Sequence, residues 1–127
     1  NTQKIKDLVK NAETNISAAN IIKKALKKDS REWMNVYINC YEAIRIFAEA
    51  LLITEKLKVS NHQCLFSCIC VKFPNLELDW GFFEKIRTKR NGANYYGEQI
   101  TYNDWKPIDL QINLYLSAMK KEIESRF

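Results

Sequence analysis

Apolar residues recur along this chain at steps of three and four, a spacing that predicts helices from one end to the other. Ile5, Leu8, Ala12, Ile16, Ala19, Ile22 and Leu26 mark one face of a first helix, and Lys4, Lys6, Lys10, Lys23, Lys24 and Lys27 fill much of the rest. The pattern breaks over Lys28-Asp29-Ser30-Arg31, where Asp29 or Ser30 is expected to cap the next helix. A second helix is predicted from about Glu32 to Leu57. Its stripe is Trp33, Tyr37, Cys40, Ile44, Phe47 and Leu51, flanked by Val36, Tyr41, Ala48 and Leu52. So wide an apolar arc belongs to a helix touching several neighbours, and places this one at the centre of a bundle.

Ser60 or Asn61 is expected to cap a third helix that ends before Pro74, with Leu65, Phe66, Ile69, Cys70 and Phe73 facing inward. Asp79 is the expected cap of a fourth helix carrying Phe82, Phe83, Ile86 and Arg90. Asn91-Gly92 should stop that helix, because Gly adopts the left-handed conformation of helix ends, and Tyr95-Tyr96-Gly97 then reads as a turn. Asp104 is the expected cap of a fifth helix bearing Trp105, Ile108, Ile112, Tyr115, Leu116, Met119 and Ile123. Pro107 then falls in the first turn, where no intrahelical N–H bond is lost. No internal repeat or long linker interrupts the series. The fold expected is all-α, an antiparallel four- or five-helix bundle forming a single domain over residues 1–127.

Composition agrees. A chain of 127 residues fits one domain with a real core. Hydrophobic residues make up 46%, with three Trp, six Tyr and six Phe, which excludes a disordered chain. Only three Gly and two Pro occur, fewer than turn-rich β architectures need. No stretch of about 20 uncharged apolar residues exists to span a membrane, and Asn1 to Lys10 lacks the apolar block of a signal peptide. A cytoplasmic setting is the expectation. The first residue is Asn rather than Met, which leaves room for residues upstream. The net charge of +5 permits a polyanionic partner without requiring one.

Cys64, Cys68 and Cys70 lie near His62 and invite a metal reading. Zinc sites pair Cys-x-x-Cys on turns, whereas Cys64 and Cys68 are four apart in an apolar run that reads as a buried helix. Cysteine there acts as a small hydrophobe, so no metal, cofactor or disulfide framework is expected. His62, the chain's one His, is expected in the first turn of the third helix, as a surface or capping-region residue.

The stretch with chemical character is Lys85-Ile86-Arg87-Thr88-Lys89-Arg90-Asn91-Gly92-Ala93-Asn94-Tyr95-Tyr96-Gly97, with four cations in its first six residues. Arg90 continues the apolar line of Phe83 and Ile86, and an Arg so placed needs a carboxylate, a phosphate or free carbonyls as partner. One reading pairs it with Glu42, Glu49 or another acid, with Tyr95 and Tyr96 sealing the end of the bundle. The other is a phosphate-binding corner, a guanidinium gripping a nucleic-acid backbone while Tyr stacks on a base. Arg87, Lys89, Arg90 and Tyr96 are the nucleic-acid-binding candidates.

Five helices with Arg90-Asn91 late in the fourth, and Tyr41-Glu42-Ala43-Ile44-Arg45 followed by Glu49-Ala50-Leu51-Leu52 in the second, resemble the HEPN superfamily of small helical domains. The likeness spans roughly Lys4 to Ser125. It implies metal-independent ribonucleases, or toxins paired with a nucleotidyltransferase-type antitoxin, that homodimerise so that two motifs face one cleft. The family motif is an Arg, a polar residue, and a His a few positions on. Arg90 and Asn91 match its first two positions, and Tyr95 (Tyr96 with longer spacing) stands where the His should be. The resemblance thus implies Arg90, Asn91 and Tyr95 as the catalytic set. Tyr titrates near 10 against about 6.5 for His and is a poor base near neutrality. The expectation is therefore an RNA- or nucleotide-binding domain of a toxin–antitoxin or other defence system, with weak or lost cleavage. The alternative is a non-catalytic dimerisation or protein-interaction module. A third reading recruits His62 for cleavage, which requires the start of helix three to approach Arg90.

Overall fold

The computed structural model describes residues 2–127, and among them every regular element is helical. The long helices are α1 (Thr2–Ala25), α2 (Trp33–Thr54), α3 (His62–Lys72), α4 (Trp80–Tyr96) and α6 (Asp109–Glu124). A short α5 (Tyr102–Trp105) and a 3₁₀ turn (Lys106–Ile108) lead into α6, and a second 3₁₀ turn (Pro74–Leu76) follows α3. The all-α bundle expected from periodicity is what forms. No helix is long and apolar enough to cross a membrane among the described residues.

Helix α2 is the centre, with 13 of its 22 residues buried, including every member of the stripe read from sequence. Trp33 packs on Tyr102, Tyr37 on Trp105, and Glu55 beyond the far end of α2 pairs with Arg126, so α6 runs in the same direction as α2. Helix α1 runs against both. Lys23 pairs with Asp109 and Glu13 with Lys120, and the buried positions of α1 are Ile5, Ala12 and Ala19, seven apart. Helix α4 also opposes α6, since the backbone N–H of Asp79 donates to the Tyr115 hydroxyl while Lys89 reaches Asp104. Phe66 of α3 stacks on Phe83 of α4 with centroids 4.7 Å apart, joining the second layer to α2 through Tyr41.

Several helix ends differ from the sequence reading. Neither Asp29 nor Ser30 caps α2. The Ser30 hydroxyl instead accepts from the Lys27 N–H at 2.8 Å, closing the loop, while the Trp33 indole N–H donates to the Lys27 carbonyl and Glu32 takes the cap position. Helix α2 also stops at Thr54 rather than Leu57. The single last helix expected from Asp104 is instead the short α5, capped by Thr101, then the 3₁₀ turn and α6 from Asp109. Asp104 is the third residue of a capping box and accepts from the Thr101 backbone N–H at 2.8 Å. Asn61 caps α3 and Asp79 caps α4 as expected. The Asp79 carboxylate accepts from the Phe82 N–H at 3.0 Å. Asp79→Ala should cost about 1 kcal/mol and lower the thermal midpoint, as loss of an N-cap does.

The largest departure shapes the candidate site. Helix α4 does not stop at Asn91-Gly92 but continues to Tyr96, and Gly97, at φ 67°, is the left-handed end. Gly92 is buried inside the helix, and Ala93 packs against the core. Burial outweighs the roughly 1 kcal/mol propensity penalty of an internal Gly. Arg87, Asn91 and Tyr95 therefore lie four apart along one helical face, and Tyr95 and Tyr96 belong to the last turn of a helix.

Candidate phosphate-binding corner

The first turn of α3 meets the last turns of α4 around a pocket of about 400 Å³, lined by Asn61, His62, Gln63, Cys64, Arg87, Arg90, Asn91 and Tyr95. Asn61 accepts from the Cys64 N–H at 2.8 Å, so the capped start of α3 forms one wall. Helical spacing along α4 forms the other. Arg87, Arg90, Asn91 and Tyr95 are brought together as sequence proximity predicts.

Lys89 and Tyr96 are not. One residue of helix turns a side chain by about 100°, so Lys89 lies on another face, lines a separate cavity with Glu84, Glu98 and Asp104, and pairs with Asp104 at 3.4 Å. Tyr96 is 80% exposed and lies outside the pocket lining. The nucleic-acid-binding candidates thus divide between two faces.

Carboxylates hold the arginines. Glu42 of α2 accepts from Arg90 Nη2 at 3.1 Å, the acidic partner anticipated for an Arg on a core line. Asn91 Oδ1 accepts from Arg90 Nη1 at 3.3 Å, and the guanidinium lies over the Tyr41 ring, 5.3 Å from its centroid. Arg90 Nε is buried with no acceptor. Arg87 forms a two-pronged pair with Glu84, at 2.8 and 2.9 Å, which holds the Glu84 carboxyl below its ordinary range. Arg45 bridges Glu42 and Glu49. Glu42 therefore serves two guanidiniums.

His62 is the first residue of α3, in the capping region as expected, but it is half-buried rather than on the surface, with Nδ1 2.8 Å from the Tyr41 hydroxyl and its ring against Tyr41 and Phe66. Burial, then the positive charges of Arg45, Arg90 and Arg87, hold its pKa below the ordinary value against the opposing pull of Glu42. Tyr41 is fully buried, and burial raises the pKa of its hydroxyl, which stays protonated. The contact between α3 and α4 that the third reading requires is present.

The cysteines do not converge. Cys64 is exposed rather than buried, because position 64 falls on the outer face of α3. Burial raises the Cys40 thiol to about 12 and Cys70 to about 11, leaving both protonated. Among the described residues, no group of three or more His, Cys, Asp or Glu side chains is arranged to hold a metal ion.

No protein-family model, curated protein or solved structure matches the chain.

Proposed function

We propose that this chain is a HEPN-like domain that binds single-stranded RNA or a nucleotide, with the phosphate seated in the pocket between α3 and α4. The observation that carries the reading is the meeting of two guanidiniums, Asn91, His62 and an exposed tyrosine, from two helices, around one opening. Each arginine retains N–H groups beyond those given to Glu84, Glu42 and Asn91, and guanidinium N–H groups recognise phosphate oxygens. The start of α3 adds the positive end of a helix dipole. Tyr95, 69% exposed at the rim, offers a ring for an unstacked base, which favours a single strand over a duplex. The homodimer with paired Arg90 corners, and a nucleotidyltransferase-type antitoxin as partner, belong to the same reading and rest on the family resemblance.

The test is a fluorescence-anisotropy titration of a labelled single-stranded RNA at several salt concentrations. Affinity should fall steeply with salt, as counterion release requires. Tyr95→Ala should cost about tenfold or more, the scale of one base–aromatic stack. Absence of binding at low salt, or equal binding of duplex and single strand, would sink the proposal. The reading as a non-catalytic interaction module draws its support from the Arg90–Glu42 pair, which ties α4 to α2 without any ligand.

A further inference from the structure

Another side of α4 carries a larger cavity, about 590 Å³, between that helix and the α5 segment, a volume typical of small-molecule sites. Its floor is Tyr37 of α2, the one buried residue in the lining, at 1% exposure. The ring packs edge-on against Trp105, 6.3 Å between centroids, yet the hydroxyl has no hydrogen-bond partner among the described residues. A buried tyrosine ordinarily finds one. Among the described residues Arg90 Nε is the one unpartnered side-chain atom sealed from solvent, so the Tyr37 oxygen opens into the cavity instead. Burial, then the charge of Asp104, raises the pKa of the phenol, which stays protonated as a donor.

Charge on the walls is unevenly satisfied. Arg87 holds Glu84, and Lys89 meets Asp104 at 3.4 Å. Lys85 and Glu98 line the same cavity, and neither has an oppositely charged partner among the described residues. Glu98 follows the left-handed cap at Gly97, and its carboxylate lies where a Cβ on Gly92 would sit. That sets an unpaired anion near the negative end of the α4 dipole, a place that attracts a cation. Gly92 is seven residues beyond Lys85, about 10 Å along the helix axis. The two free charges thus belong to opposite ends of one groove, with the hydroxyl in its floor.

We propose that this cavity is a second binding site, for an unblocked peptide of about three residues, its ammonium at Glu98, its carboxylate at Lys85 and a peptide carbonyl on the Tyr37 hydroxyl. The lining shares no residue with the pocket between α3 and α4, so the site does not depend on how that pocket is used. Length selects the ligand. A free amino acid carries both charges on one carbon and cannot reach both ends, whereas three extended residues span about 10 Å. Sign selects the direction, because the amino end goes to the anion near the helix terminus and the carboxyl end to the lysine.

The experiment titrates tri-alanine into the full chain by calorimetry at low salt, beside its N-acetylated and C-amidated forms, with thermal melting of every variant. Tri-alanine should bind, and each blocked form should bind about ten- to a hundredfold more weakly, the scale of a charged hydrogen bond. Glu98→Gln should weaken tri-alanine likewise and abolish the difference that acetylation makes, and Lys85→Gln should do the same for amidation. Gly92→Ala displaces the Glu98 carboxylate without removing it and should behave like Glu98→Gln. Tyr37→Phe should weaken tri-alanine about three- to tenfold, with a melting midpoint no lower than the parent's, since the hydroxyl has no partner in the protein to lose. Failure of tri-alanine to bind at millimolar concentration, equal binding when either end is blocked, or unchanged affinity in Tyr37→Phe overturns the proposal. Neither result bears on RNA binding at the other pocket.

Discussion

Phe47→Ala should unfold this domain under conditions where the parent is native. Phe47 sits midway along α2 with no exposed surface, among Ile44, Ala48 and Leu51, which are equally closed to water. Removing a buried phenyl costs about 3–5 kcal/mol, because the lost transfer energy is joined by a cavity that close-packed neighbours cannot fill. A small domain holds only about 5–15 kcal/mol in total. Ile44→Ala should cost about 2–5 kcal/mol by the same mechanism. Urea titration followed by circular dichroism measures both. Melting within about two degrees of the parent in both variants would mean that α2 is not the centre of the core.

Helix α2 was legible because its stripe, from Trp33 to Leu51, runs about five turns without interruption, and burial there is decided by periodicity alone. The end of α4 was not. Asn91-Gly92 carries the local signature of a helix stop, yet Gly92 is buried, and packing outweighs a propensity cost of about 1 kcal/mol. The start of the last helix misled for a related reason. Asp104 does bond a backbone N–H, but that of Thr101, so its role is the far half of a capping box. Half of the candidate site followed the same logic. Arg87, Arg90, Asn91 and Tyr95 are close in sequence on one helix, so their convergence could be read directly. Tyr41, Glu42 and His62 reach the same place from two other helices; Glu42 was among the acids expected to pair with Arg90, because a cation on a core line needs a carboxylate, but no spacing along the chain sets the Tyr41 hydroxyl against His62. Lys89 shows the opposite limit, since adjacency to Arg90 in sequence put it on a different face.

Arg90→Ala should weaken single-stranded RNA binding by about ten- to a hundredfold while leaving the fold intact. The affinity loss follows from removing charge-assisted hydrogen bonds worth about 1.5–3 kcal/mol, with 1.4 kcal/mol for each tenfold. Survival of the fold follows from the network around Glu42. Deleting one partner of a buried pair is severe when the other is left alone, but Glu42 keeps Arg45 at 3.0 Å. Arg90 Nε has no acceptor to lose. Arg90→Lys separates charge from geometry, because an ammonium keeps the charge but lacks the planar fork, so its affinity should fall between parent and Ala. Lys89→Ala is the control. Its ammonium faces Asp104 on the other side of α4, so it should lower affinity only through the general field. Equal and small losses from Arg90→Ala and Lys89→Ala would reduce the corner to a solvated basic surface. A large fall in thermal midpoint for Arg90→Ala, with RNA affinity of the remaining folded protein unchanged, would assign Arg90 to joining α4 to α2 and favour the interaction-module reading.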